Sequence, residues 1–382
     1  MSRLDELIAE LCPNGVEYKR LEDCCSILDN KRKPVTKAAR VAGDYPYYGA
    51  NGIQDYVADY IFDGTFILVG EDGSVITQSG NPVVTWAEGK IWVNNHAHIA
   101  AGKDGMLLRF LFHYIQTVDI KDLIHGNIPK LTGGDFRAIE IPFPPLPVQQ
   151  EIVRILDSFT ELTAELTAEL TARKRQYEYY RKSLLSFGPQ VTWGILGGLG
   201  KVSMCKRIMK NETSAEGDVP FYKIGTFGKK PDAYITREKY EEYKTKYSYP
   251  KKGDILISAA GTIGRAVIFD GEPSYFQDSN IVWLANDETK VLNSFLYYWY
   301  QTNPWKVATG GTIARLYNDN IAGAKVPLLS IDEQKRIVNA LNKLNTICTD
   351  FTSGLPAEIA ARQRQYEYYR DKLLTFQELK VE

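Results

Sequence analysis

The sequence predicts an α+β protein: two strand-dominated mixed domains separated by two long helices that pair as an antiparallel coiled coil. Three observations predict it. A sixteen-residue segment occurs twice with twelve positions identical, as ARKRQYEYYRKSLLSF over 172–187 and ARQRQYEYYRDKLLTF over 361–376. Long apolar stripes at helical spacing lead into both copies. The stretches between are rich in Gly, Tyr, Val and Ile in short runs, the pattern of strands between turns.

In chain order the elements are an N-terminal helix over 1–15, a first domain over 16–143, a central helix over 144–187, a second domain over 188–328, a distal helix over 329–376 and a tail over 377–382. In the first domain Phe66-Ile67-Leu68-Val69 and Val83-Val84-Thr85-Trp86 read as strands, and 107–117 as a short amphipathic helix. The central helix carries Ile152, Ile155, Phe159, Leu162, Leu166, Leu170, Tyr177, Tyr180 and Leu184 on one stripe, opened by Pro147 and ended by Gly188-Pro189. About 40 residues at 1.5 Å each make a rod of roughly 60 Å, too long to bury in one small domain. The second domain has Ile255-Leu256-Ile257 and Ala266-Val267-Ile268-Phe269 as strands and a short helix over 292–302. The distal stripe runs Ile337, Leu341, Leu344, Ile347, Phe351, then Ile359, Tyr366, Tyr369, Leu373 and Phe376. Gly354-Leu355-Pro356 interrupts it, because Gly354 can close one helix and Pro356 open the next.

The repeat extends beyond the tyrosine motif. Ile141-Pro142, Gln149, Ile152-Val153 and Leu156 recur 185 positions later as Val326-Pro327, Gln334, Ile337-Val338 and Leu341, whereas the tyrosine motif recurs at 189. Weaker echoes join Pro46-Tyr47-Tyr48 to Pro220-Phe221-Tyr222 and Gly64–Leu68 to Gly253–Ile257. Another joins Gly126-Asn127-Ile128-Pro129-Lys130-Leu131 to Gly311-Thr312-Ile313-Ala314-Arg315-Leu316. The helices are near copies and the domains have diverged, as expected if one part serves a shared partner and the other is free to vary its target.

Composition narrows the class. Hydrophobic residues at 44% and charged residues at 24% are ordinary for a globular protein. No apolar run reaches the roughly 20 residues of a membrane span and the first residues are not signal-like, so a cytoplasmic location is expected. Five cysteines without C-x-x-C spacing suit reduced thiols rather than a zinc site. No metal site is expected: His96 and His98, two apart without a nearby cysteine, are a poor ligand set.

Catalytic motifs fail one by one. Asn81-Pro82-Val83 and Asn303-Pro304-Trp305 lack the second proline of an adenine methyltransferase. The glycine-rich stretch 197–202 superficially suggests a phosphate loop, but Ile195 and Val202 stand where one needs Gly and Ser or Thr. Glu88-Gly89-Lys90 lacks the preceding Pro-Asp of a nuclease, and no Ser-His-Asp grouping appears.

Three features together resemble a known family. They are the I-P-x-P-P-L-P-x-Q-Q-x-I-V-x-I-L-D entry over 141–157, the R-Q-Y-E-Y-Y-R-x-x-L-L motif at both helix ends, and the tandem TAEL tract over 163–170. Across essentially its whole length the chain resembles the specificity (S) subunit of type I restriction-modification systems, and the tract resembles the subfamily whose central helix varies in TAEL copy number. The resemblance implies target-recognition domains related by pseudo-twofold symmetry that each read one half of a split site on double-stranded DNA. It also implies docking of two methyltransferase (M) subunits and, in the full complex, restriction/translocase (R) subunits. No cofactor is implied on this chain; the assembled complex is implied to use S-adenosylmethionine, and ATP with Mg for restriction. Candidate partner contacts are Gln149, Arg154, Arg173, Tyr177, Tyr180, Arg181, Gln334, Arg362, Tyr366, Tyr369 and Arg370. The second copy departs from the first at Gly354-Leu355-Pro356, which replaces the TAEL tract.

Net charge is −1, unusual for a DNA binder, but the positive charge is clustered. Base reading needs amide, cationic or acidic side chains on a positioned surface, and phosphate contact needs cations. The candidates are Lys31, Arg32, Asn51, Lys90, Asn94, Asn95, His96, His98 and Lys130 in the first domain. In the second they are Lys206, Arg207, Lys229, Lys230, Arg265, Gln277, Asn280 and Arg315. Two other classes compete: a duplicated protein-binding scaffold without DNA specificity, and a self-sufficient DNA-modifying enzyme.

Overall fold

The computed structural model describes residues 2–73, 75–77, 80–306, 315–350 and 352–379. The echo at 311–314, Phe351 of the distal stripe and 380–382 of the tail lie outside the described residues. The chain divides into two compact units, Met1–Ala168 with Ala357–Glu382, and Glu169–Pro356. The dividing point falls inside one uninterrupted 39-residue helix, Leu146–Leu184, so each unit owns part of it. The distal stripe is two helices, Ile331–Thr349 and Leu355–Leu373. A Cβ on Gly354 would stand 2.7 Å from the carbonyl oxygens of both Asp350 and Thr346, so only glycine lets the first helix close there.

In the first unit a six-stranded sheet runs in the order Ser26–Ile27, Ala97–Ala101, Phe62–Gly70, Val84–Val93, Ala42–Gly49, Gly52–Val57. Every pair is antiparallel except Ala42–Gly49 with Val84–Val93. In the second unit Gly200–Met204, Ile281–Asn286, Ile255–Ser258 and Ala266–Ile268 repeat the first four places of that order. The remainder is a separate sheet in which Val219–Tyr222 pairs antiparallel with Tyr234–Ile235 and parallel with Tyr275–Phe276. The topology is therefore shared, with one difference. The long strand Val84–Val93 does the work of both Ala266–Ile268 and Tyr275–Phe276, which the turn at 269–274 separates.

The repeat persists down to single hydrogen bonds. Gln149 accepts from the Leu107 amide at 2.8 Å and donates to the carbonyls of Gly105 (3.0 Å) and Pro144 (2.7 Å). Gln334 accepts from Leu292 at 2.8 Å and donates to Lys290 and Leu329, both at 2.9 Å, each partner again 185 positions on. Each glutamine ties the start of a long helix to the turn before the short helix Leu108–Ile115 or Asn293–Tyr300.

The two tyrosine motifs are exchanged between units. The motif after the second domain packs into the first unit, where Tyr366 is buried and its hydroxyl lies 3.0 Å from His113 Nδ1; His113 Nε2 is 2.8 Å from Asp157. Phe159 stacks on Tyr369 in the same unit. The motif after the first domain packs into the second unit, with Tyr177, Leu184, Leu185 and Phe187 on that core. There the places of His113 and Asp157 are taken by Tyr298 and Asn342, a neutral pair at 2.6 Å. Between its ends the central helix buries little: its fully buried residues are Val148, Gln149, Glu151, Ile152 and Leu156, and Tyr180 on the stripe is exposed.

His113 gives the first unit a pH dependence. Burial holds the imidazole below its ordinary value despite Asp157, and Arg109 and Arg370 add to the depression. Neutral His113 satisfies both neighbours, donating from Nε2 to Asp157 and accepting the Tyr366 hydroxyl on Nδ1. A group whose folded value is depressed contributes stability above its unfolded value, and that stability is lost as pH falls toward the folded one. The melting temperature of the first unit should therefore fall by a few degrees as pH drops from neutral through about 6.5. H113Q should lack that component; an unchanged pH profile in the variant would disprove the assignment.

Two segments near the ends of the chain meet where the repeat is covalently continuous in the other unit. Val16 donates to the Gln377 carbonyl and Leu379 donates to the Val16 carbonyl, both at 2.8 Å, and Tyr18 Oη reaches the Phe376 carbonyl at 3.2 Å. In the second unit the equivalent Phe187 runs on through the exposed 188–192 turn to strand Trp193–Ile195. A permuted chain opened at Gln190, its old ends joined by a flexible linker of about ten residues, should fold and unfold cooperatively like the parent. Calorimetry showing loss of either unit's transition would refute this.

Candidate nucleic-acid interface

The sites form at equivalent edges of the two domains, from three segments each. In the first, strand Ala97–Ala101 is entered through Asn94-Asn95-His96, whose backbone is pinned at both ends. Asn94 N–H donates to the Tyr48 carbonyl at 3.0 Å, and the His96 carbonyl accepts from Glu71 at 2.9 Å. The third segment joins when Leu131 N–H donates to the Glu71 carbonyl at 2.8 Å. The second domain has the same frame: Gln277 to Tyr222 at 2.9 Å, Ala259 to Asn280 at 2.8 Å, and Leu316 to Ala259 at 2.8 Å. Asn94 thus corresponds to Gln277, His96 to Asn280 and Lys130 to Arg315. The second loop carries one more residue, and Ser279 takes it up at φ 54°, a left-handed conformation uncommon outside glycine.

Beneath the first loop lies an ion network. His98 is buried, with Nδ1 2.7 Å from Asp29 and Nε2 3.0 Å from the Leu131 carbonyl. Burial alone would raise the Asp29 carboxyl, but the bonds from His98 and the Ile99 amide, with Arg32 nearby, outweigh it and hold it below its ordinary value. Arg32 contacts Glu71 at 2.5 Å and the Ala97 carbonyl at 2.7 Å, and Lys130 reaches Glu71 at 3.3 Å. Asp29, Glu71 and His98 could together be read as a metal cluster. Arg32 and Lys130 supply the countercharge to the carboxylates, however, and both ring nitrogens of His98 face oxygen acceptors, the Asp29 carboxylate and the Leu131 carbonyl, rather than an open position. The network fixes the loop.

Several candidate residues are thereby corrected. His98 and Asn94 are buried inside the frame, where Asn94 accepts the His96 amide at 2.8 Å and donates to Gln54 at 3.3 Å. Arg32 is mostly buried and spent on Glu71 and Asp29. Gln277 accepts the Ile224 amide at 3.0 Å and Arg265 donates to the Phe227 carbonyl at 2.9 Å, so both hold backbone. Exposed on the first edge are Asn95, His96 and Lys130; Lys31 is exposed beside Arg32 and Asn51 lies in a hairpin turn. Lys90 sits over the Tyr60 ring at 4.7 Å on the antiparallel strand partner of Asp63. Lys206 sits over Tyr247 at 5.3 Å, and Lys229 and Lys230 are exposed in a separate turn.

The second site opens into a cleft of about 670 Å³ walled by Arg207, Lys210, Lys223, Gln277, Asn280 and Arg315, among others. Arg207 pairs with Asp278 at 2.9 Å and Lys223 with Asp232 at 2.9 Å, while Arg315 donates to the Ser279 carbonyl at 2.7 Å. Lys210, Lys223 and, on the first edge, Asp72 and Gln54 escaped sequence reasoning, because no local motif marks a residue that matters only through a neighbour brought by the sheet.

On the helices, Gln149 and Gln334 are fully buried and Tyr366 nearly so, which removes them from any partner surface. Arg154 is exposed beside Glu151, and Arg173 and Arg362 are half-buried beside Glu169 and Glu358. Arg181 donates to the Gln301 carbonyl and Arg370 is largely covered. The most exposed tyrosines of the two motifs are the equivalent pair Tyr179 (68%) and Tyr368 (61%), one position from those the stripe singled out.

A family model described as the type I restriction modification DNA specificity domain matches this chain twice, over residues 13–173 and 191–361. The chain belongs to this specificity family. Both matches cover a domain and the helix that follows it. A putative type I restriction enzyme specificity subunit of Haemophilus influenzae is 54% identical over 94% of this chain and 96% of its own length. The type I restriction enzyme EcoR124I/EcoR124II specificity subunit of Escherichia coli is 32% identical over 71% of each. Among solved structures, the type I restriction-modification S subunit from M. genitalium superposes with a TM-score of 0.56 at 17% identity, covering 94% of this chain and 96% of that one. That likeness is one of fold. Among the described residues, no helix is long and apolar enough to cross a membrane.

Proposed function

We propose that each domain of this specificity chain reads one half of a bipartite sequence in double-stranded DNA, within a type I restriction-modification complex. The observation that carries this is the repeated site: one backbone frame, built twice, presents His96 and Lys130 in one domain and Asn280 and Arg315 in the other. A duplicated scaffold that bound only protein would have no reason to keep the frame and change the side chains on it. The chain supplies the address, and the chemistry belongs to its partners. Methyltransferase subunits would bring S-adenosylmethionine and dock on the helices, where Tyr179 and Tyr368 offer equivalent exposed rings; restriction/translocase subunits would bring ATP and Mg. A complex of this kind works on DNA in the cytoplasm. Co-expression with the cognate methyltransferase subunit and mapping of methylated adenines tests the reading. Two short defined sequences separated by a fixed unspecified spacer are expected; a single contiguous motif, or none, would overturn it.

A further inference from the structure

We propose that His96 and Asn280 are the equivalent residues that read a base edge in their respective half-sites, and that Lys130 and Arg315 beside them hold the flanking phosphate. The inference rests on the DNA-reading function above and names the residues that set its specificity. Position 96/280 is the last residue of each loop before the strand. Its carbonyl accepts the amide of Glu71 or Ala259, which fixes where its side chain leaves the backbone. The neighbours are otherwise employed. Asn94 and Gln277 bond to the frame, Arg32 and His98 are in the network below, and Asp278 is tied to Arg207. Asn95 is exposed and its side chain makes no hydrogen bond among the described residues, whereas the His96 ring is held by Asp72 through Nδ1. Asn280 is held through its backbone, by the bond from Ala259 to its carbonyl and by its own N–H on the Asp278 carbonyl at 2.6 Å, and its side chain is left free for the base.

The chemistry follows from which atoms remain. A carboxylate only accepts, so Nδ1 of His96 donates to Asp72, which leaves Nε2 of this exposed ring as the nitrogen available to a base edge. As an acceptor Nε2 matches the exocyclic amino group of adenine or cytosine in the major groove, and as a donor it matches N7 or O6 of guanine. The Asn280 side-chain amide makes no hydrogen bond among the described residues and lines the cationic cleft. One donor and one acceptor on a planar amide match N7 and N6 of adenine. Lys130 and Arg315 are equivalent to each other in the frame, each placed by the amide of the next residue.

The test is selection of bound duplexes from a pool randomised in both halves, using the complex assembled with its methyltransferase subunits. H96A should lose roughly tenfold or more of its discrimination at one base pair of one half-site, and N280A at one base pair of the other. The untouched half serves in each case as the control for folding. K130Q and R315Q should weaken binding to all sequences alike and flatten the salt dependence without changing the selected motif. Unchanged motifs in H96A and N280A would overturn this assignment, as would uniform weakening or a change in the wrong half. A wild-type complex that selects no bipartite sequence would instead overturn the function on which it rests.

Discussion

Deleting one TAEL unit, residues 163–166, should shorten the unspecified spacer of the methylated motif by one or two base pairs and leave both half-sites unchanged. The tract lies within the unbroken Leu146–Leu184 helix, on both sides of which a unit is anchored. Four residues are about 6 Å of helix and slightly over one turn, against about 3.4 Å per base pair of DNA. The helix can lose them without losing its pattern. Leu162, Leu166 and Leu170 are half-buried at four-residue intervals, so the deletion brings Leu170 to the place of Leu166. Thr163 and Thr167 bond to the carbonyls four residues before them, at 2.8 and 2.7 Å, and Thr167 can take over the bond to Phe159. Sequencing the methylated sites of the deleted and parent proteins gives the answer. An unchanged spacer would show that the helix does not set the distance.

The second large effect is on stability. Replacing Gln149 with Leu should destabilise the first unit by about 3 kcal/mol or more, because three buried backbone groups each lose a partner worth about 1–3 kcal/mol. For a unit of this size that corresponds to a fall of about 10 °C in its melting temperature. Q334L should do the same to the second unit, since the second latch copies the first bond for bond. Calorimetry reads both losses, and amide exchange at Leu107 and Leu292 locates them. A fall of only a degree or two would mean that water replaces the side chain, and the latch would not be what holds the helix start.

Where local chemistry decides, the sequence was sufficient. The stripe after Pro147 specified one long helix because apolar residues at steps of three and four have only one face to share. Gly354 marked the distal break because no side chain fits between the carbonyls there. The echo of Lys130-Leu131 in Arg315-Leu316 also held, as the two leucines make the same backbone bond.

Burial was where sequence reasoning failed. His98 and Asn94 resemble base readers as strongly as His96 does, and Gln149 resembles a surface contact, because a polar side chain carries no record of which way it faces. Sheet register placed His98 on the inner side against Asp29 and left His96, two positions earlier, turned toward Asp72. The same holds for Tyr179 beside Tyr177, where the helical phase against a particular core decides which ring is covered.

By itself the sequence determined the duplication, the helices, their one break and the family, since all are written in spacing and identity along the chain. Only the tertiary structure decided that each tyrosine motif serves the other copy's domain and which of the candidate polar residues remain free. The reason is physical: helix and turn follow from neighbours within a few residues, whereas burial, pairing and the meeting of distant segments depend on long-range contacts that no local pattern encodes.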